Sequence, residues 1–130
     1  MDKIHKAGAI IIQDKKMMLV KPYKKDTYLT PGGKYEKGEN AEQCLRRELM
    51  EELRVEVKSF KHYKDYYFDT GLYADRHLLL ELYLVEVEGQ ATPSNEIEVI
   101  NWIDKENFHT FGLMPSFSRV LPDLINDGLL

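Results

Sequence analysis

Apolar positions along this chain fall into short runs separated by charged and turn-forming residues. Ala9-Ile10-Ile11-Ile12 and Met17-Met18-Leu19-Val20 flank the polar stretch Gln13-Asp14-Lys15-Lys16, the pattern of two strands joined by a hairpin turn. In Tyr28-Leu29-Thr30-Pro31-Gly32-Gly33 a proline beside two glycines predicts an irregular loop whose backbone groups face a ligand, with the next regular element beginning after it. Asn40 followed by Gln43 is a helix-start signature and predicts a helix from Ala41 to Leu53. Beyond it, Val55-Glu56-Val57, Phe60 to Phe68 and Leu78 to Val87 read as extended, with Thr70-Gly71-Leu72-Tyr73-Ala74-Asp75 linking two antiparallel strands. Ile97, Val99 and Ile100 to Ile103 predict a further strand. Met114 to Asp127 predicts a last helix, which Pro122 must kink or begin.

At about 100° per residue, Ala41, Cys44, Leu45 and Leu49 form the apolar stripe of the first helix. Glu48 and Glu52 fall inside that stripe, and Glu51 lies on its margin. All three sit toward the helix C-terminus, where the macrodipole is negative and basic residues are the favourable choice. Like charges gathered there repel, and each desolvated carboxylate costs roughly several kcal/mol unless it is paired or protonated. A bound cation resolves the conflict, and carboxylate oxygens suit Mg²⁺ or Mn²⁺, ions that bridge protein to phosphate. The alternative is a rotated helix that pairs the acids with Arg46, Arg47 and Arg54.

Composition narrows the classes. With 130 residues, 43% hydrophobic and 31% charged, and no repeat or linker, residues 1–130 read as one compact unit. Eighteen basic against 22 acidic residues give a net charge of −4, which excludes a broad positive surface for a nucleic acid polymer. No apolar run approaches the roughly 20 residues that cross a bilayer, and the first six residues lack a signal-peptide segment, so no membrane partner and a cytoplasmic location are expected. Cys44 is the only cysteine and nothing has paired Cys or His zinc spacing, so any metal must be held by oxygen.

The stretch from Gly33 to Val55 resembles the signature box of the Nudix hydrolases: Gly33, five residues, Glu39, seven residues, Arg47-Glu48, Leu49, one residue, Glu51-Glu52, one residue, then Arg54 and Val55. Eight of the nine specified places match; Arg54 stands where the family has Gly, which affects only the turn after the helix. Tyr28 to Gly33 is similar to the aromatic-x-x-Pro-Gly-Gly lead-in, and Glu96 to Trp102 resembles the family's late acidic segment ahead of a tryptophan. The resemblance implies an α/β/α sandwich with a mixed β-sheet and a loop-helix-loop catalytic motif. It further implies that Glu48, Glu51 and Glu52, with the Gly32 carbonyl, hold one to three divalent ions, and that Glu39 and Arg47 orient the helix. The implied reaction is hydrolysis of a nucleoside diphosphate linked to another group, by water attack on phosphorus.

The general base is open between Glu48 in the box and Glu96 or Glu98 later, the last two sharing a strand face if that segment is extended. Tyr63, Tyr66, Tyr67, Phe68 and Tyr73 either pack as strand aromatics or supply one member, with Tyr67 the candidate, that stacks on a base. Tyr28 and Gly33 in the lead-in are candidate substrate contacts, and Lys21 either meets phosphates or caps a solvated hairpin end. The expectation is a Mg²⁺-dependent (or Mn²⁺-dependent) pyrophosphohydrolase of a nucleoside triphosphate or related small nucleotide. Its alternatives are a sugar-nucleotide or dinucleotide pyrophosphatase and a non-catalytic nucleotide-sensing module. A homodimer is compatible with the sequence.

Overall fold

The computed structural model describes residues 2–69 and 76–130. The segment 70–75, expected to link two antiparallel strands, lies outside the described residues, as does Tyr73. The elements in order are β1 (Asp2–Ile10), β2 (Ile12–Gln13), β3 (Lys16–Pro22), β4 (Gly32–Lys34), α1 (Ala41–Leu53), β5 (Glu56–Phe68), β6 (Arg76–Glu88), β7 (Ile97–Ile103), a short 3-10 turn (Phe108–Thr110) and α2 (Phe117–Asn126).

Four strands form one sheet in the order β4-β1-β6-β5 and three form another in the order β2-β3-β7. The larger sheet is mixed: β1 runs parallel to β6, while β4 on β1 and β5 on β6 are antiparallel. The hairpin between β2 and β3 turns on Asp14 and Lys15, both left-handed at φ 52° and 61°, the two-residue geometry whose twist matches paired strands.

Strand alternation sorts the apolar side chains between the two helices. Ile10, Met17, Leu19, Leu78, Leu80 and Leu82 pack with Phe117, Val120, Leu121 and Leu124 of α2. Ala7, Ala9, Ile11, Met18, Val20 and Val85 pack with Cys44, Leu45, Leu49 and Leu53 of α1. The result is a helix–sheet–helix layering of mixed α/β class. No helix among the described residues is long and apolar enough to cross a membrane.

Four details differ from the sequence expectation. Strand β1 starts at Asp2, because pairing with β6 from Asp2↔Arg76 to Ile10↔Leu84 extends it through Lys3, His5 and Lys6. The glycine loop is in part a strand, since Gly32 and Gly33 pair with Gly8 and Ala7. The stretches around Val57 and Phe60 are one strand, interrupted by irregular register at Val57/Ser59 and His62/Lys64. Helix α2 starts at Phe117 rather than Met114, and Pro122 lies inside it, which excludes the alternative in which the proline begins the helix.

Candidate active site

Helix α1 is fixed at both ends. Asn40 accepts from the Gln43 amide at 2.8 Å and the Gln43 side chain accepts from the Asn40 amide at 2.9 Å, a reciprocal cap. At the other end Arg54 is left-handed (φ 58°, ψ 36°) and its amide bonds Met50 O, so the position where the family box has Gly keeps the Gly conformation with an arginine in it. The last carbonyls are then taken by the following loop: Thr92 N–H donates to Leu53 O at 2.9 Å and Ser94 N–H to Glu52 O at 3.0 Å. These bonds draw the segment before β7, and with it Glu96, to the acidic end of the helix.

The three glutamates of that end occupy distinct environments. Glu52 is 4% exposed and its Oε1 accepts from Gly32 N–H at 2.9 Å. The Glu48 side chain is 12% exposed, and its Oε1 accepts from Arg47 Nη1 at 2.7 Å. Glu51, on the stripe margin, is 45% exposed and stands 3.6 Å from Arg47 Nη1. Burial pushes the Glu52 carboxyl up to about 8; the Gly32 amide opposes this, and Glu48, Glu96 and Glu51 add to it. Burial likewise raises Glu48, against Arg47 and with Glu51 and Glu96.

The double glycine is what lets these carboxyls reach β4. A Cβ on Gly33 would lie 2.5 Å from the Glu48 carboxyl, and one on Gly32, at φ +138°, would lie 2.2 Å from Ala7 O. Cys44 fills the same joint as packing, buried with its Sγ 3.6 Å from Gly33 O.

Arg47 binds Glu39 in a two-pronged contact, Nε to Oε2 at 2.7 Å and Nη2 to Oε1 at 2.9 Å, and Nη2 also donates to Lys34 O at 3.1 Å. It thus ties the start of the box and strand β4 to the helix and holds one Glu48 oxygen. The Arg47 hydrogen bond, helped by the Glu36 amide, keeps the Glu39 carboxyl down at about 2. Arg46 pairs instead with Glu42 at 2.9 Å, and Arg54 with Ser94 Oγ at 3.0 Å. Of the three arginines in the rotated-helix alternative, Arg47 alone meets the glutamates of the acidic end.

The other candidates are spread out. Glu96 precedes β7 and acts on Glu48 and Glu52, whereas Glu98, in β7, is hydrogen-bonded to Lys21. The condition for their sharing a strand face is not met, since Asn95 is left-handed (φ 56°) and the strand begins only at Ile97. Lys21 Nζ also donates to Lys25 O at 3.2 Å, which ties it to the loop after β3. The Tyr28 hydroxyl accepts from Asn101 Nδ2 at 2.7 Å, and the Tyr28 backbone bonds Gly112 and Met114. Tyr67, on β5 and so separated from β4 by β6 and β1, is hydrogen-bonded to His77 of β6. Tyr63 and Tyr66 bond Asp127 and Asp123 of the α2 region, each at 2.6 Å.

The donor set fits a hard divalent cation. Three carboxylates stand on the last two turns of one helix, those of Glu48 and Glu52 reaching β4, and Oε2 of these two takes no hydrogen bond among the described residues. Arg47 occupies one Glu48 oxygen and Gly32 one Glu52 oxygen, and among the described residues no three His, Cys, Asp or Glu side chains stand together as a ready-made metal site.

Lys6 is a residue the sequence reading passed over. It stands on β1 in phase with Ile4 and Ile10, on the apolar face toward α2, and a charge in that phase is a signal visible once β1 is known to begin at Asp2.

The family model for the Nudix domain matches residues 3–124. A NAD-capped RNA hydrolase NudC of Stutzerimonas stutzeri is 31% identical over 98 residues, 75% of this chain and 34% of that protein, so the chain spans about a third of that relative's length. Among solved structures, that of the E. coli ORF135 protein superposes with a TM-score of 0.80 at 26% identity, covering 97% of this chain and 91% of that one. A putative nudix hydrolase family member from Chromobacterium violaceum gives 0.79 at 26% identity, over 96% and 78%. On the family match and on the box held together by Arg47, this chain belongs to the Nudix hydrolase family.

Proposed function

We propose that residues 1–130 form one catalytic unit that hydrolyses the diphosphate linkage of a small nucleotide, a nucleoside triphosphate or related nucleoside diphosphate derivative, in the cytoplasm. Nudix hydrolases generally use divalent metal ions, and here Mg²⁺, with Mn²⁺ as a substitute, is the proposed cofactor. Glu48, Glu51 and Glu52, with the Gly32 carbonyl, would hold it. When bound, such an ion neutralises the diphosphate, lowers the pKa of water and holds attacking and leaving oxygens in place. The observation that carries the reading is the buried Glu52 carboxyl, crowded by Glu48, Glu51 and Glu96 against a glycine strand.

The chain's own residues divide the remaining work. Arg47 holds Glu48 in one direction and fastens β4 to the helix through Glu39 and Lys34. Gly33 leaves the Glu48 carboxyl room that any side chain would fill. As the water oxygen bonds to phosphorus, the bond from phosphorus to the leaving oxygen breaks, the leaving group takes the electron pair, and a carboxylate accepts the water's proton. Glu48 and Glu96 are the two candidates at the acidic end; Glu98 would first have to leave Lys21.

A panel of nucleotides with Mg²⁺ or Mn²⁺, scored for both products, tests this. The expected pair from a triphosphate is the nucleoside monophosphate and pyrophosphate; absence of turnover on every nucleotide would overturn the reading. Mg²⁺ at a hundred times its Kd should also stabilise the fold by about 3 kcal/mol, seen as a higher Tm. A dinucleotide pyrophosphatase is the second reading, favoured by the likeness to an NAD-capped RNA hydrolase, and a dinucleotide in the same panel decides it.

A further inference from the structure

On the α2 side of the larger sheet, Leu78, Leu80, Leu82, Phe117 and Val120 line a pocket that reaches Gly32 and Gly33. Its lining is apolar except at Lys6, Thr30 and Ser116. Gly8 also lines it from β1, and a Cβ there would come within 2.7 Å of Thr30 Oγ1 and 2.8 Å of Leu82, so these two side chains close directly over the strand.

Lys6 is half-buried and has no hydrogen-bond or ion-pair partner among the described residues. An ammonium offers three donors, and no acceptor among the described residues takes one of them. Burial, and then Lys34, push its pKa down, while Glu52 and Glu48 act in the other direction. A lysine placed so on a core strand costs stability, and a ligand group that accepts its hydrogen bond would recover that cost.

We propose that Lys6 selects the base of the substrate, donating to an exocyclic carbonyl oxygen of a flat ring seated in this pocket, so that keto-bearing nucleotides are preferred to adenine nucleotides. The inference rests on the nucleotide pyrophosphohydrolase reading and adds the class of base to it. Apolar walls favour a neutral ring over a phosphate, whose charge is expensive to desolvate there. On the proposed function the phosphates would lie beside Gly32 and the glutamates, at the edge strand the pocket reaches. Adenine offers an amino donor where keto bases offer an acceptor, and an ammonium facing an amino group leaves both unpaired.

Titrating the metal-free protein with GMP, UMP and AMP by calorimetry or NMR reads base preference without turnover. GMP and UMP should bind about tenfold or more tightly than AMP, and Lys6→Met should remove that gap while leaving AMP within about twofold. With Mg²⁺ and the triphosphates, the same variant should raise KM for GTP and UTP while kcat holds. Lys6→Ala, which only shortens the side chain, must reproduce the loss and covers the case in which Met disturbs the strand. Equal wild-type affinities for the three monophosphates overturn the proposal. Equal losses for all three in the variant also overturn it and move Lys6 to the phosphates. Lys6-dependent binding of GMP with no triphosphate cleaved would keep this inference and sink the pyrophosphohydrolase reading; cleavage without base preference would do the reverse.

Discussion

Both helices bring carboxylates toward their C-terminal ends, and neither has a basic residue in its last turn. In the α2 region each acid is matched. Tyr66 donates to Asp123 at 2.6 Å, Tyr63 to Asp127 at 2.6 Å, and Lys64 adds a bond to Asp127 at 3.2 Å. On α1, one arginine faces Glu36, Glu39, Glu48 and Glu51 together, while buried Glu52 has a single backbone amide. Acids matched by tyrosine hydroxyls and a lysine on a neighbouring strand fasten a helix to its sheet. Acids that are buried, crowded and short of partners weaken the fold they sit in, which is the pattern expected of a site that binds a cation.

The sharpest way to break this contrast is to neutralise one acid from each helix. Glu52→Gln should lower kcat at saturating Mg²⁺ about a hundredfold or more, while Asp123→Asn leaves it within about twofold. Comparable losses in both would erase the distinction. Next in size is Arg47→Ala, expected to lower turnover about tenfold with metal binding retained, and Arg47→Lys should recover only part, since an ammonium cannot make the two-pronged contact to Glu39. Kinetics of Arg47→Ala, Glu39→Gln and the pair should show a double variant barely worse than either single; additive losses would show two independent side chains.

Acid titration should move the two helices in opposite directions. With the Glu52 carboxyl raised from 4.5 to about 8, the folded protein keeps a proton that the unfolded chain has lost between those values, so metal-free stability falls as pH rises through that window. Melting curves from pH 5 to 8 should therefore show Glu52→Gln gaining on the wild type as pH rises. Asp127, held below its ordinary value by Tyr63 and then Lys64, contributes in the other sense: its share is present at neutral pH and is lost as pH falls through 3.8 and below. The smallest effect belongs to Tyr66→Phe, which removes the bond to Asp123 and should cost about 1 kcal/mol in denaturant unfolding with turnover unchanged.

Legibility in the sequence followed how local each cause is. Helix α1 could be bounded at Ala41 and Leu53 because Asn40 and Gln43 cap it with their own side chains, and the burial of Glu52 followed from angular arithmetic. Strand β4 could not be read, since Gly32-Gly33-Lys34 has no apolar pattern and is a strand only because β1 offers it an edge. Glu96 and Glu98 were separable only with the loop amides of Thr92 and Ser94 on the end of α1 in view. Lys6 looks ordinary in a row of charged residues until the length of β1 places it among leucines.

The parallel pairing of β1 with β6 also bears on how the chain acquires its shape. Strand β1 is an interior strand of the larger sheet, and its partner on one side is synthesised about seventy residues after it. Closing a contact of that span carries a large loop entropy before any ladder bond returns it, so folding of this sheet is paced by a late, non-local step. On the ribosome, residues 2–10 must wait with one edge unpaired until β6 has emerged, and during that interval the apolar run from Ala7 to Ile12 is the part of the chain most open to mispairing with a neighbour.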